Sequence, residues 1–397
     1  MDYSPHVEHL LPVDLDRATV VARLAMPGEN GARVATVRDG RFVDITGSWP
    51  TVADLLDAPR VVDAIRQSDV GDSWTLQEVV AATLTGVGAA PRLLSPIDLQ
   101  VIKAAGVTFA RSMIERVIEE RAAGDPAKAE AIRDRIASVV GGAIASVTPG
   151  SPEAAEAKRI LVEDGLWSQY LEVGIGPDPE IFTKAPVLSS VGTGADIGVL
   201  SRSSWNNPEP EAVIAVSSIG RPVGAMLGND VNLRDFEGRS ALLLGEAKDN
   251  NGSCALGPVL RVFDEGFALD DVRSLEIRLR ITGDEGFTLE GVSSMSEMSR
   301  TLEGLIAHTI GDHHQYPDGF VLFTGTLFAP TQDRDAAGMG FTHHRGDIVA
   351  ISNPRLGTLA NRVLPSEQVE PWTRGIRAFY RDLATRGLLR ASESARQ

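Results

Sequence analysis

Two glutamates, Glu209 and Glu211, stand two positions apart at the start of an apolar run over residues 212–216. Residues i and i+2 of a β-strand point to the same face, so we expect both carboxylates at one place on the edge of a hydrophobic layer. Two like charges there are costly unless a positive group compensates them, and a divalent cation would do so. On its own, however, such a pair is more often two solvated carboxylates at a strand end than a metal site.

A third carboxylate, Asp230, follows in the segment Gly228-Asn229-Asp230. Glycines at 220 and 224 indicate a hairpin, and a returning strand would bring Asp230 back beside the glutamate pair. Three carboxylates without His or Cys form an all-oxygen site, which favours Mg²⁺ or Mn²⁺ over Zn²⁺ and leaves positions for water and substrate. The seven histidines of the chain occur singly or as adjacent pairs and compete poorly as ligands.

Three further residues could serve a small substrate beside such a cation. Lys248 lies in a polar segment, where it could bind a carboxylate or, with a lowered pKa, move a proton. Taken alone, it would more often be an ordinary surface lysine. Gly325 and Thr326 end a strand-like run, which suits the close approach of a ligand to backbone amides and suits an ordinary turn equally well.

Most of the secondary structure that the sequence predicts around these candidate site residues is β-strand. Hairpins are predicted around Asp39-Gly40 and around residues 283–286, and short helices at 52–64, 76–84, 152–162 and 369–383. Regular strand–helix alternation is missing, which favours an α+β fold with a mostly antiparallel or mixed sheet. We divide the chain into a small N-terminal α+β domain, 1–95, which ends in a linker at 92–96, and a catalytic domain, 96–397. A polar helical insertion at about 111–163 is interpreted as a lid, and an ordinary surface hairpin of helices is the alternative.

The composition and net charge of the chain disfavour several kinds of binding partner and of cellular location. The 397 residues carry a net charge of −16, from 54 acidic and 38 basic side chains, which disfavours nucleic acid and anionic membranes as partners. Cys254 is the only cysteine, so an intrachain disulfide is excluded. The sequence shows neither a signal peptide pattern nor an apolar run long enough for a membrane helix, so we expect a cytoplasmic protein.

The candidate residues, taken together and in this order, resemble those of the fumarylacetoacetate hydrolase superfamily. The resemblance extends over residues 101–363, about two thirds of the chain. It rests on Glu209, Glu211, Asn229-Asp230, Arg234-Asp235, Lys248, Gly257-Pro258, Gly325-Thr326 and Gly346-Asp347. The resemblance implies a mixed β-roll around a Mg²⁺ or Mn²⁺ ion that Glu209, Glu211 and Asp230 hold, and a 2-oxo acid chelated by that ion. It also implies a homo-oligomer, which we expect to be a homodimer or homotetramer.

One departure from the hydrolytic members of this family concerns function. Those members carry a His and a Glu that activate water for C–C cleavage, whereas here Ser112 stands at the position of the His and only Glu115 remains. A neutral serine cannot act as that base at pH 7. The Ser-x-x-Glu-Arg variant, the helical insertion and the 204–209 run resemble a sugar-acid branch, the 2-keto-3-deoxy-pentonate dehydratases. The resemblance therefore implies a hydro-lyase that acts on 2-keto-3-deoxy-D-xylonate or D-arabinonate and gives 2-oxoglutarate semialdehyde.

Residue roles follow from the same resemblance. The candidates for proton transfer are Lys248, Glu180 and Glu115. The candidates for substrate binding are Ser112, Arg234, Gly325 and Thr326. The nearest alternative is an acylpyruvate or fumarylpyruvate hydrolase on the same fold, followed by a decarboxylase or isomerase of 2-oxo acids. A non-catalytic sensor would need an output module, and residues 1–95 show no basic helix-turn-helix pattern.

Overall fold

A computed structural model describes residues 2–109, 113, 147–326, 332–335 and 340–389. The strands, in chain order from β1 to β18, are Val20–Ala25, Ala32–Arg38, Arg41–Asp44, Ser73–Thr75, Arg92–Leu93, Val101–Gly106, Glu180–Ala185, Asp196–Val199, Asn206–Asn207, Pro210–Val216, Pro222–Asp230, Asn232–Leu233, Cys254–Val262, Glu276–Thr282, Thr288–Ser294, Phe320–Phe323, Ile348–Asn353 and Gly357–Pro365. The described α-helices, from α1 to α10, are Val52–Asp57, Val61–Gln67, Leu76–Thr85, Pro152–Glu163, Gln169–Ile175, Arg234–Glu237, Leu244–Lys248, Leu269–Val272, Leu302–Thr309 and Ile376–Thr385.

The largest sheet has the order β4-β3-β2-β1-β13-β11-β10-β16-β6-β7, with β5 paired to β1. Within it, β16 and β6 run parallel and every other pair is antiparallel. A second sheet has the order β15-β14-β17-β18-β8, and β9 pairs with β12 in a short two-stranded ladder. Mixed sheets with helices at their edges confirm the predicted α+β class.

Strand β10 lies at the centre of the core, and every one of its residues is buried. Alternate residues face two different layers, as the period of two requires. Ile214 belongs to the hydrophobic cluster that contains Leu279 and Ile351 of the second sheet. Val213 belongs to a different cluster, which contains Leu55 and other residues of helices α1 and α2. Burial on both faces explains why residues 212–216 form a continuous apolar run instead of an alternating one.

The N-terminal segment extends the main sheet. Strand β1 pairs with β13 through Val20 opposite Arg261 and Val21 opposite Leu260. The hydrophobic cluster that contains Val21 also contains Val213 and Leu256 of the central strands. Residues 1–95 therefore share a sheet and a core with the rest of the chain, and the proposed boundary at 95/96 stays a prediction.

Several predicted elements are confirmed with shifted bounds. The Asp39-Gly40 hairpin forms with positive φ at both turn residues. The helix predicted over 52–64 is two helices, α1 and α2, because Pro59 interrupts the run. The supposed linker at 92–96 contains β5, and the C-terminal helix begins at Ile376 rather than at 369. Helix α4 matches the prediction for 152–162, whereas most of the predicted lid lies outside the described residues.

No helix in the described part of the chain is both long enough and apolar enough to cross a lipid bilayer.

Candidate metal and substrate site

The hairpin of β10 and β11 brings the three predicted carboxylates together. Pro210 lies opposite Asn229 in the ladder, and the amide of Asp230 donates to the carbonyl of Glu209 at 3.0 Å. Each of Glu209, Glu211 and Asp230 offers an oxygen within 4.8 Å of the others, and all three residues are buried. Among the residues that the structure describes, they are the only group of three or more His, Cys, Asp or Glu side chains with this geometry.

Lys248, at the end of helix α7, extends its ammonium group between two of these carboxylates. Its Nζ lies 2.5 Å from Oε2 of Glu209 and 3.0 Å from Oδ2 of Asp230. The residue is almost completely buried, so both ion pairs form in a poorly solvated environment. The same Nζ lies 5.7 Å from the ring centre of Phe182.

Lys184 is a second buried lysine at the same carboxylate, and the sequence analysis did not assign it a role. Its Nζ lies 2.8 Å from Oδ1 of Asp230, and its side chain is 0% exposed. The sequence contains one signal that could have found it. Lys184 follows Glu180 and Phe182 at intervals of two residues, the spacing of one strand face, although the ladder of β7 with β6 is irregular at Lys184.

A backbone amide completes the surroundings of Glu211. Gly325 donates its N–H to Oε2 of Glu211 at 2.6 Å. Its φ is +94°, and a Cβ atom there would lie 2.1 Å from Oγ1 of Thr108, so glycine is the residue that fits. Next to it, Thr326 donates its hydroxyl to the carbonyl of Pro210 at 3.1 Å.

The electrostatics show a surplus of negative charge. Burial, with Asp230 and Glu209 nearby, raises the pKa of Glu211 well above its usual value. Burial alone would raise the pKa of Asp230, but Lys184 and Lys248 lower it overall. Burial alone would likewise lower the pKa of Lys248, yet Asp230 and Glu209 raise it above its usual value. This direction is opposite to the lowered pKa that a general base at Lys248 would need.

The carboxylates open into a small cavity that also contains Glu180, from the edge strand β7. The described residues that line it are Ala105, Gly106, Val107, Glu180, Phe182, Glu209, Glu211, Asp230, Glu237, Lys248, Gly325 and Thr326. Gly106 makes room for Glu180, because a Cβ at 106 would lie 2.0 Å from Oε2 of that residue. Val107 has φ +53°, which is strained for a β-branched residue and is typical of positions at functional sites.

Glu237 is another residue of the cavity that the sequence analysis missed. It ends helix α6 and accepts a hydrogen bond from Nδ2 of Asn232 at 2.5 Å, while the same amide nitrogen lies 3.2 Å from Oε1 of Glu209. Asn232 thereby connects the cavity wall to a candidate metal ligand. Asn232 follows Asp230 by two residues, and this spacing is the signal in the sequence that could have identified Asn232.

The structure does not bring the predicted substrate-binding residue Arg234 to this cavity. Arg234 is buried in helix α6 with its guanidinium 4.4 Å from the ring centre of Trp205, and it does not line the cavity. Ser112 and Glu115 lie outside the described residues.

The donor set fits a hard divalent cation. Three carboxylates contribute oxygen atoms, and the two neighbouring lysines leave one negative charge over when all three are ionised. Mg²⁺ prefers oxygen ligands of this kind and commonly binds through few carboxylates together with water and substrate. The raised pKa of Glu211 has the same physical origin, since a buried surplus of negative charge favours either a proton or a cation.

Comparisons with known proteins agree with this geometry. Residues 179–364 match the model of the fumarylacetoacetate hydrolase C-terminal family. A probable 2-keto-3-deoxyxylonate dehydratase of Haloferax volcanii is 31% identical over 260 residues, which cover 64% of this chain and 84% of that protein. A 2-dehydro-3-deoxy-D-arabinonate dehydratase of Saccharolobus solfataricus is 37% identical over 185 residues, and the match spans 47% of this chain and 58% of that relative.

A solved structure of a 2-keto-3-deoxy-D-arabinonate dehydratase in its apo form shares the fold. Its TM-score is 0.62 at 24% identity, and the match covers 87% of this chain and 99% of that one. The same kind of enzyme has been solved with magnesium and 2,5-dioxopentanoate, at a TM-score of 0.61 and 24% identity. The predicted likeness to the sugar-acid dehydratase branch is confirmed by these relatives, and the chain belongs to the fumarylacetoacetate hydrolase family.

Proposed function

We propose that this protein is a metal-dependent dehydratase that removes one molecule of water from a 2-keto-3-deoxy-pentonate. The observation that carries the proposal is the buried triad of Glu209, Glu211 and Asp230, which lies beside Lys248 in the wall of a cavity. Relatives named as arabinonate and xylonate dehydratases support the substrate class. The product would be 2-oxoglutarate semialdehyde, and the configuration at C4 of the preferred substrate stays open.

We propose Mg²⁺ as the cation that the triad holds. The all-oxygen donor set supports it, as does the magnesium in the complex of the structural neighbour. When bound, the cation would supply Lewis acidity that makes the C3 protons of a 2-oxo acid easier to remove. Mn²⁺ is the alternative, and the homodimer or homotetramer stays a prediction.

The chain's own residues bind and orient the anionic substrate in this proposal. Lys248 lines the cavity, and Asp230 and Glu209 raise its pKa, which favours its ammonium form. We assign it to the substrate carboxylate rather than to proton removal. The segment of Gly325 and Thr326 forms the adjacent wall and is assigned to the same end of the substrate. A charged partner in a buried cavity stabilises a carboxylate more strongly than an exposed lysine would.

We assign proton transfer to Glu180. A base takes one proton from C3, and hydroxide leaves C4 with a proton, so the elements of one water are lost and a C3=C4 double bond forms. Tautomerisation through C5 then gives the aldehyde. Glu180 lines the same cavity from β7, and the space at Gly106 accommodates its carboxylate. Glu237, on another part of the wall, is the second candidate for exchanging a proton with a substrate hydroxyl.

Product analysis tests the activity. Purified protein with Mg²⁺ should convert 2-keto-3-deoxy-D-xylonate or its D-arabinonate counterpart into a product lighter by one water, as seen by mass spectrometry. If both acids stay intact while acylpyruvates are split into pyruvate and a second acid, the enzyme is a hydrolase instead.

The assignment of Glu180 has its own test. Glu180→Gln should lower kcat by about 10²- to 10⁴-fold, the usual contribution of a positioned base, with Mg²⁺ affinity preserved. The matched control is Glu290→Gln, at an exposed position of β15. A Glu180→Gln variant with wild-type kcat would leave Glu237 or Glu115 as the base.

A further inference from the structure

Lys184 and Lys248 each form an ion pair with a different carboxylate oxygen of Asp230, and their other hydrogen-bond partners differ. Nζ of Lys184 lies 2.8 Å from Oδ1 of Asp230 and donates to the carbonyl of Val231 at 3.0 Å and to the carbonyl of Lys248. Two N–H groups of Lys184 are thus donated to backbone carbonyls, and its charge is paired with that of Asp230. Lys184 is completely buried, and it does not belong to the residues that line the cavity.

Lys248 contacts the other oxygen of the same carboxylate and does line the cavity. Its described acceptors are Oδ2 of Asp230 and Oε2 of Glu209, both on candidate metal ligands. A ligand in the cavity can therefore compete for the ammonium of Lys248 but cannot reach that of Lys184. Lys248 therefore lines the cavity, whereas Lys184 is enclosed in the protein outside it.

We propose that Lys184 is a positioning residue that fixes both Asp230 and the end of the Lys248 helix. Its ion pair with Oδ1 of Asp230, opposite the contact of Lys248 with Oδ2, holds that carboxylate beside Glu209 and Glu211. Through the carbonyl of Lys248, Lys184 also holds the last turn of α7 in the orientation that directs the Lys248 side chain to the cavity. The part of this inference that concerns the cation rests on the proposed metal site.

The contacts of Lys184 join secondary-structure elements that are distant in sequence. Lys184 lies on β7, Asp230 ends β11, and Lys248 ends α7. Ser253 also donates its hydroxyl to the carbonyl of Lys248, at 2.7 Å, so this carbonyl has two donors from different segments. Outer partners of metal ligands orient them, and their loss commonly weakens metal binding by about 10- to 100-fold.

The experiment compares Lys184→Met with Lys103→Met. Lys103 is a suitable control because it lies on the neighbouring strand β6, donates to Oγ1 of Thr183 at 3.0 Å and contacts none of the three carboxylates. Calorimetric titration with Mg²⁺ should show a Kd raised by about 10- to 100-fold in Lys184→Met and an unchanged Kd in Lys103→Met. Amide exchange in the metal-free proteins should be faster across residues 244–249 in Lys184→Met alone.

The two measurements separate the possible failures. If wild-type protein binds no Mg²⁺, the proposed metal site is wrong, while amide exchange still decides whether Lys184 holds the helix. A folded Lys184→Met protein with wild-type exchange at 244–249 and wild-type Mg²⁺ affinity would overturn the inference. If Lys184→Met does not fold, as judged by circular dichroism and gel filtration, Lys184→Gln replaces it, because its amide keeps two of the three donors. Weakened Mg²⁺ binding in that variant supports the inference, and unchanged binding and exchange refute it.

Discussion

Two buried ionic clusters in this molecule differ in how completely their charges are paired. In the first, Arg334 places its two terminal nitrogens 2.6 and 2.8 Å from the two oxygens of Asp347, and its Nε lies 3.1 Å from Oε1 of Glu285. Asp347 also accepts the amide of His344 at 2.9 Å. Planar bidentate pairing of this kind holds both partners in one geometry. The two buried charges of this cluster, on Arg334 and Asp347, are paired one to one, and the additional carboxylate of Glu285 is half-exposed to solvent.

The second cluster is the one at Glu209, Glu211 and Asp230, where two lysines face three carboxylates. Burial, Asp230 and Glu209 raise the pKa of Glu211, whereas hydrogen bonds from Arg334 and His343 outweigh burial and lower the pKa of Asp347 to about 2. The buried surplus of negative charge in the second cluster favours the binding of a proton or a cation there. The paired cluster has the character of structural support, and the cluster with surplus negative charge has the character of a site.

The largest effect is expected from a change in the unpaired cluster. Glu209→Gln removes one carboxylate from the triad and one partner of Lys248, so Mg²⁺ affinity and dehydratase activity should both fall. Lewis-acid stabilisation contributes several kcal/mol, so we expect activity to drop by roughly 10³-fold or more. Initial rates and Mg²⁺ titrations measure the two quantities. As a control, Glu276→Gln on the exposed face of β14 should change neither quantity. Full activity of Glu209→Gln in the presence of a chelator would exclude a metal role for the triad.

The unpaired cluster could be predicted because its geometry is local. Glu209 and Glu211 are two residues apart, and the turn at Gly220 returns the chain through an antiparallel ladder to Asp230. Period two and a hairpin signal are enough to bring the three together. Lys184 is four residues after Glu180 in the same strand, but lysine is so rarely buried that this spacing gives little reason to expect it inside the protein.

Other features depend on pairings that are distant in sequence. Strand β1 joins β13 across more than 230 residues, and nothing near Val20 indicates that partner. The residues at 1–95 therefore read as a separate unit from sequence, although they continue the main sheet. Proline and glycine residues explain the smaller errors in the predicted helix bounds. Pro59 divides the helix predicted over 52–64, and the C-terminal helix begins only after Pro371 and Gly375.

A change in the paired cluster should affect stability rather than metal binding. Asp347→Asn would leave the guanidinium of Arg334 buried without its bidentate partner, and breaking a buried pair in this way costs about 3 to 5 kcal/mol. Denaturant titration should show this as a lower free energy of unfolding, with Mg²⁺ affinity within about threefold of wild type. If Asp347→Asn instead weakens Mg²⁺ binding as much as Glu209→Gln does, the two clusters act as one unit and the distinction between them fails.

The pH dependence of stability gives the finest test of the same distinction. The folded-state pKa of Asp347 is about 2, below the ordinary value of 3.8, so its contribution is fully present above that ordinary value and is lost as the pH falls towards 2. That contribution is at most about 2 kcal/mol. Wild-type protein should therefore lose more stability between about pH 5 and pH 2 than Asp347→Asn does, because the variant lacks this titrating group. Parallel losses in the two proteins over that range would mean that Asp347 titrates normally and that Arg334 does not stabilise its ionised form.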